Sequence, residues 1–270
     1  MKLVIIPPYR GVNYTPTEGH FMVRELLDNM RRKGQLEGID VDIDEGHPVE
    51  HTEENRRDEE EYPAKGAGIL NRVRLYGEGD KYDAIVTSSA NDLAFFGARL
   101  ISKIPLATNI NSAVHVASLI GERFSIINLT DPLALATRHF VQNFGLSDKL
   151  VSVRYISYSS PSIMALVRKY KKDERIKVPE VKKVVDAIVA QCIAAIDKDR
   201  ADSIIILPPH LQCFEDEVRR ELDGAGYGEI QLICALSAGV EMAKAMVHMK
   251  LRQAPRAYPS DDLKAKPEFR

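Results

Sequence analysis

The chain lacks most of the features that identify a protein class at first sight. Tryptophan is absent, and the three cysteines show no CxxC spacing. An odd number of cysteines is typical of a reducing compartment rather than of a disulfide framework, so we expect a cytoplasmic protein. Neither GxGxxG nor GxxxxGK[ST] occurs, which leaves the familiar nucleotide-binding sites without support.

Charge and hydrophobicity argue against two further classes. The formal net charge is −2, from 37 basic and 39 acidic residues, so nucleic acid is not an expected partner. No stretch approaches the roughly 20 apolar residues of a membrane span, and the first apolar run is too short for a signal peptide. Of the 270 residues 44% are hydrophobic, which is enough for a core that needs neither metal nor disulfide.

Short β-rich runs alternate with longer helical patterns along the chain. There are two sets of four runs, namely KLVII, IDVDI, DAIVT and IPLAT, then FSIINL, LVSVRYI, SIIIL and IQLICA. The two sets look like copies, because YDAIVTSSAND can be laid over ADSIIILPPHL with Asp83 on Asp202. We therefore predict an α/β fold of two pseudo-symmetric, four-stranded, mainly parallel lobes, with the active site in a cleft lined by strand carboxyl ends.

This repeat also predicts the domain boundaries. The first lobe comprises residues 1–108 and 236–250, and the second comprises residues 109–235. The Pro-rich residues 251–270 form a C-terminal tail that wraps a neighbour or stays disordered. Residues 47–66 form a long charged connection that would suit a lid. Both segments are candidate subunit contacts in a homo-oligomer.

Polar residues follow four of the predicted strands and form the candidate site. They are Tyr9, Arg10, Asn13, Ser88, Ser89, Asn91, Asp92, Asn128, Thr130, Asp131 and His210. Ser89, followed by small and polar residues at a strand-to-helix turn, suits the binding of a carboxylate by a hydroxyl and free backbone N–H groups. The alternative is that one of the side chains at 88–92 only caps a helix that begins near Leu93.

His210 is the predicted general acid or base. Its unperturbed pKa of about 6.5 allows proton exchange near neutral pH. A pair of Ser89 and His210 would resemble an activated nucleophile, with Asp92 or Asp131 orienting the imidazole. The alternative is a hydrogen-bonded loop histidine. Arg10 would pair with a substrate carboxylate, or would be a surface charge.

Cysteine and metal chemistry have less support. Cys192 and Cys234 lie in apolar patterns typical of inert core thiols, whereas Cys213 follows the seventh predicted strand and is a candidate reactive thiol. His47 and His51 have a spacing that would suit a metal on a helix, but Pro48 lies between them, so we predict no metal site.

The order of these elements resembles the aspartate/glutamate/hydantoin racemase superfamily, most closely its hydantoin racemase branch. The resemblance covers about residues 2–250 and is carried by KLVIIPP, IDVDIDEGHPVEH, YDAIVTSSANDLAFFGARL, IPLATNINSAVHVASLIGERFSIINL and ADSIIILPPHL. It implies two lobes, a dimer or a ring of dimers, no required cofactor and two cysteine thiols that act as acid and base. Their positions correspond to Ser89 and Pro208, and neither residue can replace a thiol in two-base inversion.

The resemblance also implies a substrate-binding set, which is better kept than the thiols: Pro8, Tyr9, Arg10, Ser88, Ala90, Asn91, Asn128, Thr130 and Pro209. We predict a cofactor-independent enzyme that acts on a small carboxylate or cyclic amide or imide by hydrolysis, elimination or isomerisation. Its catalytic candidates are Ser89, His210 and Cys213. The alternatives are a hydantoin or amino-acid racemase that uses His210 and Cys213, a metal-dependent hydrolase that uses His47, His51 and His210, and a non-catalytic small-molecule binding protein.

Overall fold

The computed structural model describes residues 1–49, 58–259 and 261–267, in which strands and helices alternate. The strands are β1 Lys2–Ile6, β2 Arg10–Gly11, β3 Asp40–Ile43, β4 Pro48–Val49, β5 Ala84–Thr87, β6 Leu106–Thr108, β7 Phe124–Asn128, β8 Leu150–Tyr155, β9 Ser203–Ile206 and β10 Gln231–Cys234. The helices are α1 Pro16–Gly19, α2 Phe21–Arg32, α3 Asp58–Tyr76, α4 Phe95–Ile101, α5 Asn109–Ile120, α6 Asp131–Asn143, α7 Ser160–Lys169, α8 Lys172–Arg175, α9 Pro179–Asp197, α10 Pro209–Gln212, α11 Glu215–Gly224, α12 Ala235–His248 and α13 Asp261–Lys264, with a 3₁₀ turn at Ser147–Lys149.

Two four-stranded sheets carry the fold. Their strand orders are β3-β1-β5-β6 and β10-β9-β7-β8, and every neighbouring pair is parallel. When the four strands of each sheet are numbered along the chain, both sheets have the order second, first, third, fourth. The prediction of two four-stranded parallel α/β lobes of one plan is therefore confirmed. The short strands β2 and β4 form a separate parallel pair.

The sheets form because their strands are short β-branched runs. Strand β5 is buried at every residue, as are β7 and β9, which is the pattern of parallel strands covered on both faces. Each sheet has a core of its own. The first contains Val4, Ile6, Ile69, Val73, Tyr82, Ile85, Leu93, Ala98 and Leu106, and the second contains Ile110, Ala113, Val114, Ala117, Phe124, Ile126, Val141, Val153, Ile205 and Leu207.

The overlay of the two sets of strands has a structural counterpart. Asp83 accepts a hydrogen bond of 2.6 Å from the backbone N–H of Lys2, where β1 begins. Asp202 accepts one of 2.9 Å from the backbone N–H of Arg123, just before β7. In both sheets an aspartate before the third strand therefore fixes the start of the first strand.

The chain divides into two compact units. The first comprises Met1–Val23, Leu27–Thr108 and Gly239–Arg270, and the second comprises Arg24–Leu26 and Asn109–Ala238. The predicted cleft between two lobes stays a prediction. Among the described residues, no helix is both long and apolar enough to cross a membrane.

Part of the predicted tail packs on the first unit. Gln253 is 7% exposed and donates a hydrogen bond of 2.7 Å to the carbonyl of Leu106. Arg99 donates one of 3.2 Å to the Tyr258 hydroxyl. These polar side chains hold the segment in place. The segment is Pro-rich and has few apolar residues, so its composition alone does not predict this packing.

The predicted charged connection at 47–66 contains the start of a helix. Helix α3 begins at Asp58 and continues past Pro63 to Tyr76. Its later turns bury Ile69 and Val73 in the first core, and this packing extends the helix back into the charged segment. Glu50 and His51 lie outside the described residues.

Candidate functional site

The turn after β5 contains the cluster of polar residues that the sequence marks as the candidate site. Ser88, Ser89 and Asn91 are each at most 5% exposed. The Ser89 hydroxyl accepts a hydrogen bond of 3.3 Å from the backbone N–H of Asn91, while Ala90 is half-buried between them. The hydroxyl therefore shapes its own turn.

The capping alternative for this turn is not what the structure shows. Helix α4 begins at Phe95, and its N-cap residue is Ala94, which has no polar side chain. Asp92 and Ala94 both adopt left-handed backbone conformations, with φ of 43° and 61°. Since non-glycine residues rarely adopt this region, the turn is strained rather than a simple helix start.

A buried hydrogen bond holds the strained turn against the neighbouring strand. Asp92 is fully buried, and its carboxylate accepts a hydrogen bond of 2.6 Å from the hydroxyl of Thr108, the last residue of β6. Thr108 lies opposite Thr87 in the parallel register of β5 and β6. Asp92 is thus engaged within the first unit, by a hydroxyl at a strand end.

The loop after β1 carries Pro8, Tyr9 and Arg10. The Arg10 guanidinium donates to two backbone carbonyls, at 3.2 Å to Glu45 and at 2.5 Å to Tyr14. These bonds hold the loop in place. Two of the guanidinium nitrogens that we predicted to bind a substrate carboxylate therefore donate to the protein backbone.

Two close contacts fix the position of Tyr9. The ammonium group of Lys65, which is 2% exposed, lies 4.5 Å from the centre of the Tyr9 ring. Gly46 approaches from the loop after β3 with a φ of +76°, and an added Cβ would lie 3.1 Å from the Tyr9 carbonyl carbon. A side chain at Gly46 would therefore displace the Tyr9 backbone.

In the second unit, the turn after β7 is closed by its own side chains. The Asn128 amide nitrogen donates to the Thr137 hydroxyl at 2.9 Å and to the Leu133 carbonyl at 3.2 Å. Its oxygen accepts from the backbone N–H of Leu129 at 2.8 Å. Thr130 follows as the N-cap residue of α6, and Asp131 is its exposed first residue. Asn128 therefore supports the turn, with its amide occupied.

The turn after β9 positions the predicted acid or base. Pro208 is extended, Pro209 begins the single-turn helix α10, and His210 follows with 8% exposure. The His210 Nε2 atom lies 2.6 Å from the hydroxyl of Ser160, the first residue of α7. Gln212 donates to the Leu207 carbonyl at 2.6 Å and so ties α10 back to the end of β9.

Ser160 is the functional candidate that the sequence prediction missed. It follows strand β8, whose carboxyl end was not among the four strand ends that we considered. The signal was present, since SYSSPS directly follows LVSVRYI and repeats the pattern of a buried strand that ends in hydroxyls. The predicted pair of Ser89 and His210 stays a prediction.

The environment of Cys213 suppresses the chemistry proposed for it. The side chain is 3% exposed, and burial raises the pKa of the thiol well above its usual range, with the Glu25 carboxylate acting in the same direction. A neutral thiol is a poor nucleophile and a poor base. Cys192 is also buried, and burial raises the pKa of its thiol to about 12.

No metal centre is formed by the residues that the structure describes, since none of their His, Cys, Asp and Glu side chains assemble in groups of three or more. The backbone carbonyl of His47 accepts a hydrogen bond of 2.8 Å from Arg10 N–H. His51, the second ligand of the predicted metal alternative, lies outside the described residues.

The geometry defines a duplicated parallel α/β protein with buried polar turns at its strand ends. A family model described as Asp/Glu/Hydantoin racemase matches residues 19–243. Since the match covers most of the chain, the protein belongs to the Asp/Glu/hydantoin racemase family, a family named for isomerases. Ser89 and Pro208 take equivalent places in the two units, each two residues past the third strand of its sheet.

Individual relatives agree with this assignment. The hydantoin racemase of Pseudomonas sp. (strain NS671) is 21% identical over 182 residues, which span 67% of this chain and 65% of that protein. The solved allantoin racemase from Klebsiella pneumoniae has a TM-score of 0.74 at 17% identity, covering 98% of this chain and 96% of that one. The allantoin racemase from Pseudomonas fluorescens has a TM-score of 0.70 at 17% identity, covering 96% and 97%. These structural likenesses concern the fold.

Proposed function

We propose that the protein is a cofactor-independent enzyme that moves a proton at the carbon beside a carbonyl group of a small cyclic amide or carboxylate. The observation that carries the proposal is the 2.6 Å hydrogen bond between Ser160 and His210, at the end of a parallel strand. Hydantoin and allantoin, which name the relatives, both contain a cyclic amide. This agreement supports the substrate class.

The proposed chemistry does not need a cysteine. A neutral imidazole accepts a proton from the carbon acid. Return of the proton to the other face of the same carbon gives racemisation, and return to another atom gives isomerisation. Elimination follows instead when a group on the neighbouring carbon departs with its electron pair. In this role the Nε2–H of the neutral ring donates to the Ser160 hydroxyl, which fixes the ring's orientation and makes Nδ1 the basic nitrogen. The turn at 88–91 stays a predicted anion-binding element of the first unit, because backbone N–H groups and hydroxyls suit an oxyanion.

A second candidate function is hydrolysis, because the distance between Ser160 and His210 also suits a nucleophile and its base. The Ser160 oxygen would attack the amide carbonyl while His210 takes the hydroxyl proton and passes it to the leaving nitrogen. Water would then cleave the resulting ester, with the same histidine as base. In this reaction Ser160 is indispensable, whereas in proton transfer it only orients His210.

The experiment that tests both functions is proton NMR in D2O. A panel of hydantoins, amino acids, malonates, maleate and cyclic imides is incubated with the enzyme. Deuterium entering beside a carbonyl without another product supports proton transfer, whereas ring-opened acids support hydrolysis. Ser160→Ala should weaken exchange but abolish hydrolysis. If panel members bind but show neither exchange nor products, the protein is the non-catalytic binding module and the proposal fails.

A further inference from the structure

Two polar side chains of the second unit are buried at the start of α5. Asn109 is fully buried, and neither its amide nitrogen nor its amide oxygen has a hydrogen-bond partner among the described residues. Ser112, which is 1% exposed, has a hydroxyl in the same situation. The two residues are three positions apart, so their side chains project from one side of the helix.

These unpaired atoms destabilise the ligand-free structure. A buried donor or acceptor without a partner loses its bonds to water and gains none in exchange. Such groups are rare in native structures, and each one calls for an explanation. An apolar residue would fit the surroundings better, because the neighbouring residues of α5 pack into the second core through Ile110, Ala113 and Val114.

Asn128 shows that the same unit can satisfy a buried asparagine. Asn128 is 1% exposed and also lies at a strand end, but its amide donates two hydrogen bonds and accepts one. The fold therefore supplies partners to the asparagine that ends β7 and leaves the one that follows β6 without any among the described residues. This difference points to a partner for Asn109 that comes from outside the chain.

We propose that Asn109 and Ser112 bind the amide edge of the substrate and select cyclic amides over carboxylates. The inference rests on the proposed function and narrows its substrate class. A carboxamide presents a donor beside an acceptor, which matches the C=O and N–H of an amide held cis in a ring. A carboxylate offers acceptors only and would leave the Asn109 oxygen unpaired. The Ser112 hydroxyl can donate or accept.

The position of Asn109 allows it to reach a ligand. It is the first residue of α5, so no earlier helical turn restricts its first side-chain torsion. The backbone N–H groups of this first turn also lack intrahelical acceptors. A rotation of the Asn109 side chain would bring its amide nitrogen and oxygen, which lack partners among the described residues, into hydrogen bonds with the ligand.

The test combines binding and unfolding of the full chain. Calorimetry gives the Kd values for hydantoin, for hydantoin methylated at its ring nitrogens and for malonate. Urea unfolding of the same proteins gives their midpoints. For Asn109→Leu we expect the Kd for hydantoin to rise by about tenfold or more, while the Kd for malonate stays unchanged and the urea midpoint rises. In the wild type, methylation of the ring nitrogens should weaken binding by a similar factor. Ser112→Ala should give a smaller loss in the same direction.

Asn128→Leu is the matched control, because it replaces an asparagine with occupied hydrogen bonds and should lower the urea midpoint. A lower midpoint for Asn109→Leu with wild-type hydantoin binding would identify Asn109 as a core residue paired with buried water, and would overturn the inference. Binding of malonate but not hydantoin by the wild type would overturn it while leaving the proposed function in place. Binding of neither ligand would overturn both.

Discussion

The strand ends after β5 and β9 take equivalent places in two sheets of one strand order, yet they are built differently. After β5 the chain passes through the left-handed residues Asp92 and Ala94 before a helix begins at Phe95. After β9 the chain stays extended at Pro208 and enters a helix at Pro209. The first arrangement stores backbone strain, and the second does not.

The side chains at the two ends differ in the same way. Ser89 makes a hydrogen bond within its own turn and Asp92 accepts one from the end of the neighbouring strand β6, whereas His210 contacts the hydroxyl of another helix. A parallel sheet thus determines where its ends lie, while the local turn determines which chemistry is presented there. We expect the first turn to matter for binding and stability, and the second for proton transfer.

The largest effect should come from His210. Replacing it by Gln should lower kcat by about 10²- to 10⁴-fold, because a positioned acid or base contributes on that scale. His139→Gln is the control, since His139 is an exposed residue of α6. Both variants are compared by the deuterium exchange rate and by thermal unfolding. Activity within a factor of about two of the wild type for His210→Gln would remove the assignment of proton transfer to the turn after β9.

Cys213 tests which group acts at the strand end after β9. It directly follows α10 and would be the substitute thiol of a racemase. Its raised thiol pKa means that the thiolate appears only well above the usual pH range. At pH 8, iodoacetamide should therefore leave the native protein unlabelled at Cys213 and fully active, while in urea all thiols should react. Mass spectrometry locates the label. Rapid native labelling with loss of activity would instead support the thiol mechanism.

Much of the fold could be predicted because its signals are local. Short β-branched runs separated by helical patterns predict parallel sheets, and the repeated aspartates Asp83 and Asp202 mark the same place in each. The left-handed turn could not be predicted, since neither Asp92 nor Ala94 is the glycine that usually marks such a conformation. The pattern instead favoured a helix from near Leu93, two residues before the observed start.

The site was predictable only where one strand end shows its chemistry by itself. His210 is a lone titratable residue after a buried strand, which is visible in the sequence. Its contact with Ser160 joins residues separated by 50 positions, and only tertiary packing determines it. The unpaired state of Asn109 is equally invisible, because Asn128 lies in a similar local pattern with all its bonds made.

The bond between Thr108 and Asp92 tests how the first turn is held. Thr108→Val keeps the shape but removes the donor, so the free energy of unfolding should fall by about 1–3 kcal/mol, the range for removing one partner of a buried hydrogen bond. Thr87→Val is a matched control, because Thr87 is equally buried, lies opposite Thr108, and has a hydroxyl without a partner among the described residues. Its stability should stay equal or rise. Equal losses in the two variants would mean that the Asp92 bond contributes nothing specific.

The smallest effect concerns Ala94, where the strain of the first turn can be removed without touching a polar group. Glycine at this position relieves about 1–2 kcal/mol of left-handed strain. The same change loses a methyl group worth about 0.8 kcal/mol if it is fully buried, and adds about 0.5–1 kcal/mol of backbone entropy to the unfolded chain. Because these contributions nearly cancel, the free energy of unfolding of Ala94→Gly should lie within about 0.5 kcal/mol of the wild-type value.

Ala98→Gly is the control for this change. Ala98 lies in the right-handed interior of α4 and has no strain to relieve, so this variant should lose at least about 1 kcal/mol of the free energy of unfolding. Equal losses in both variants, measured by urea unfolding, would show that the turn after β5 is not strained and that the two strand ends do not differ in backbone strain.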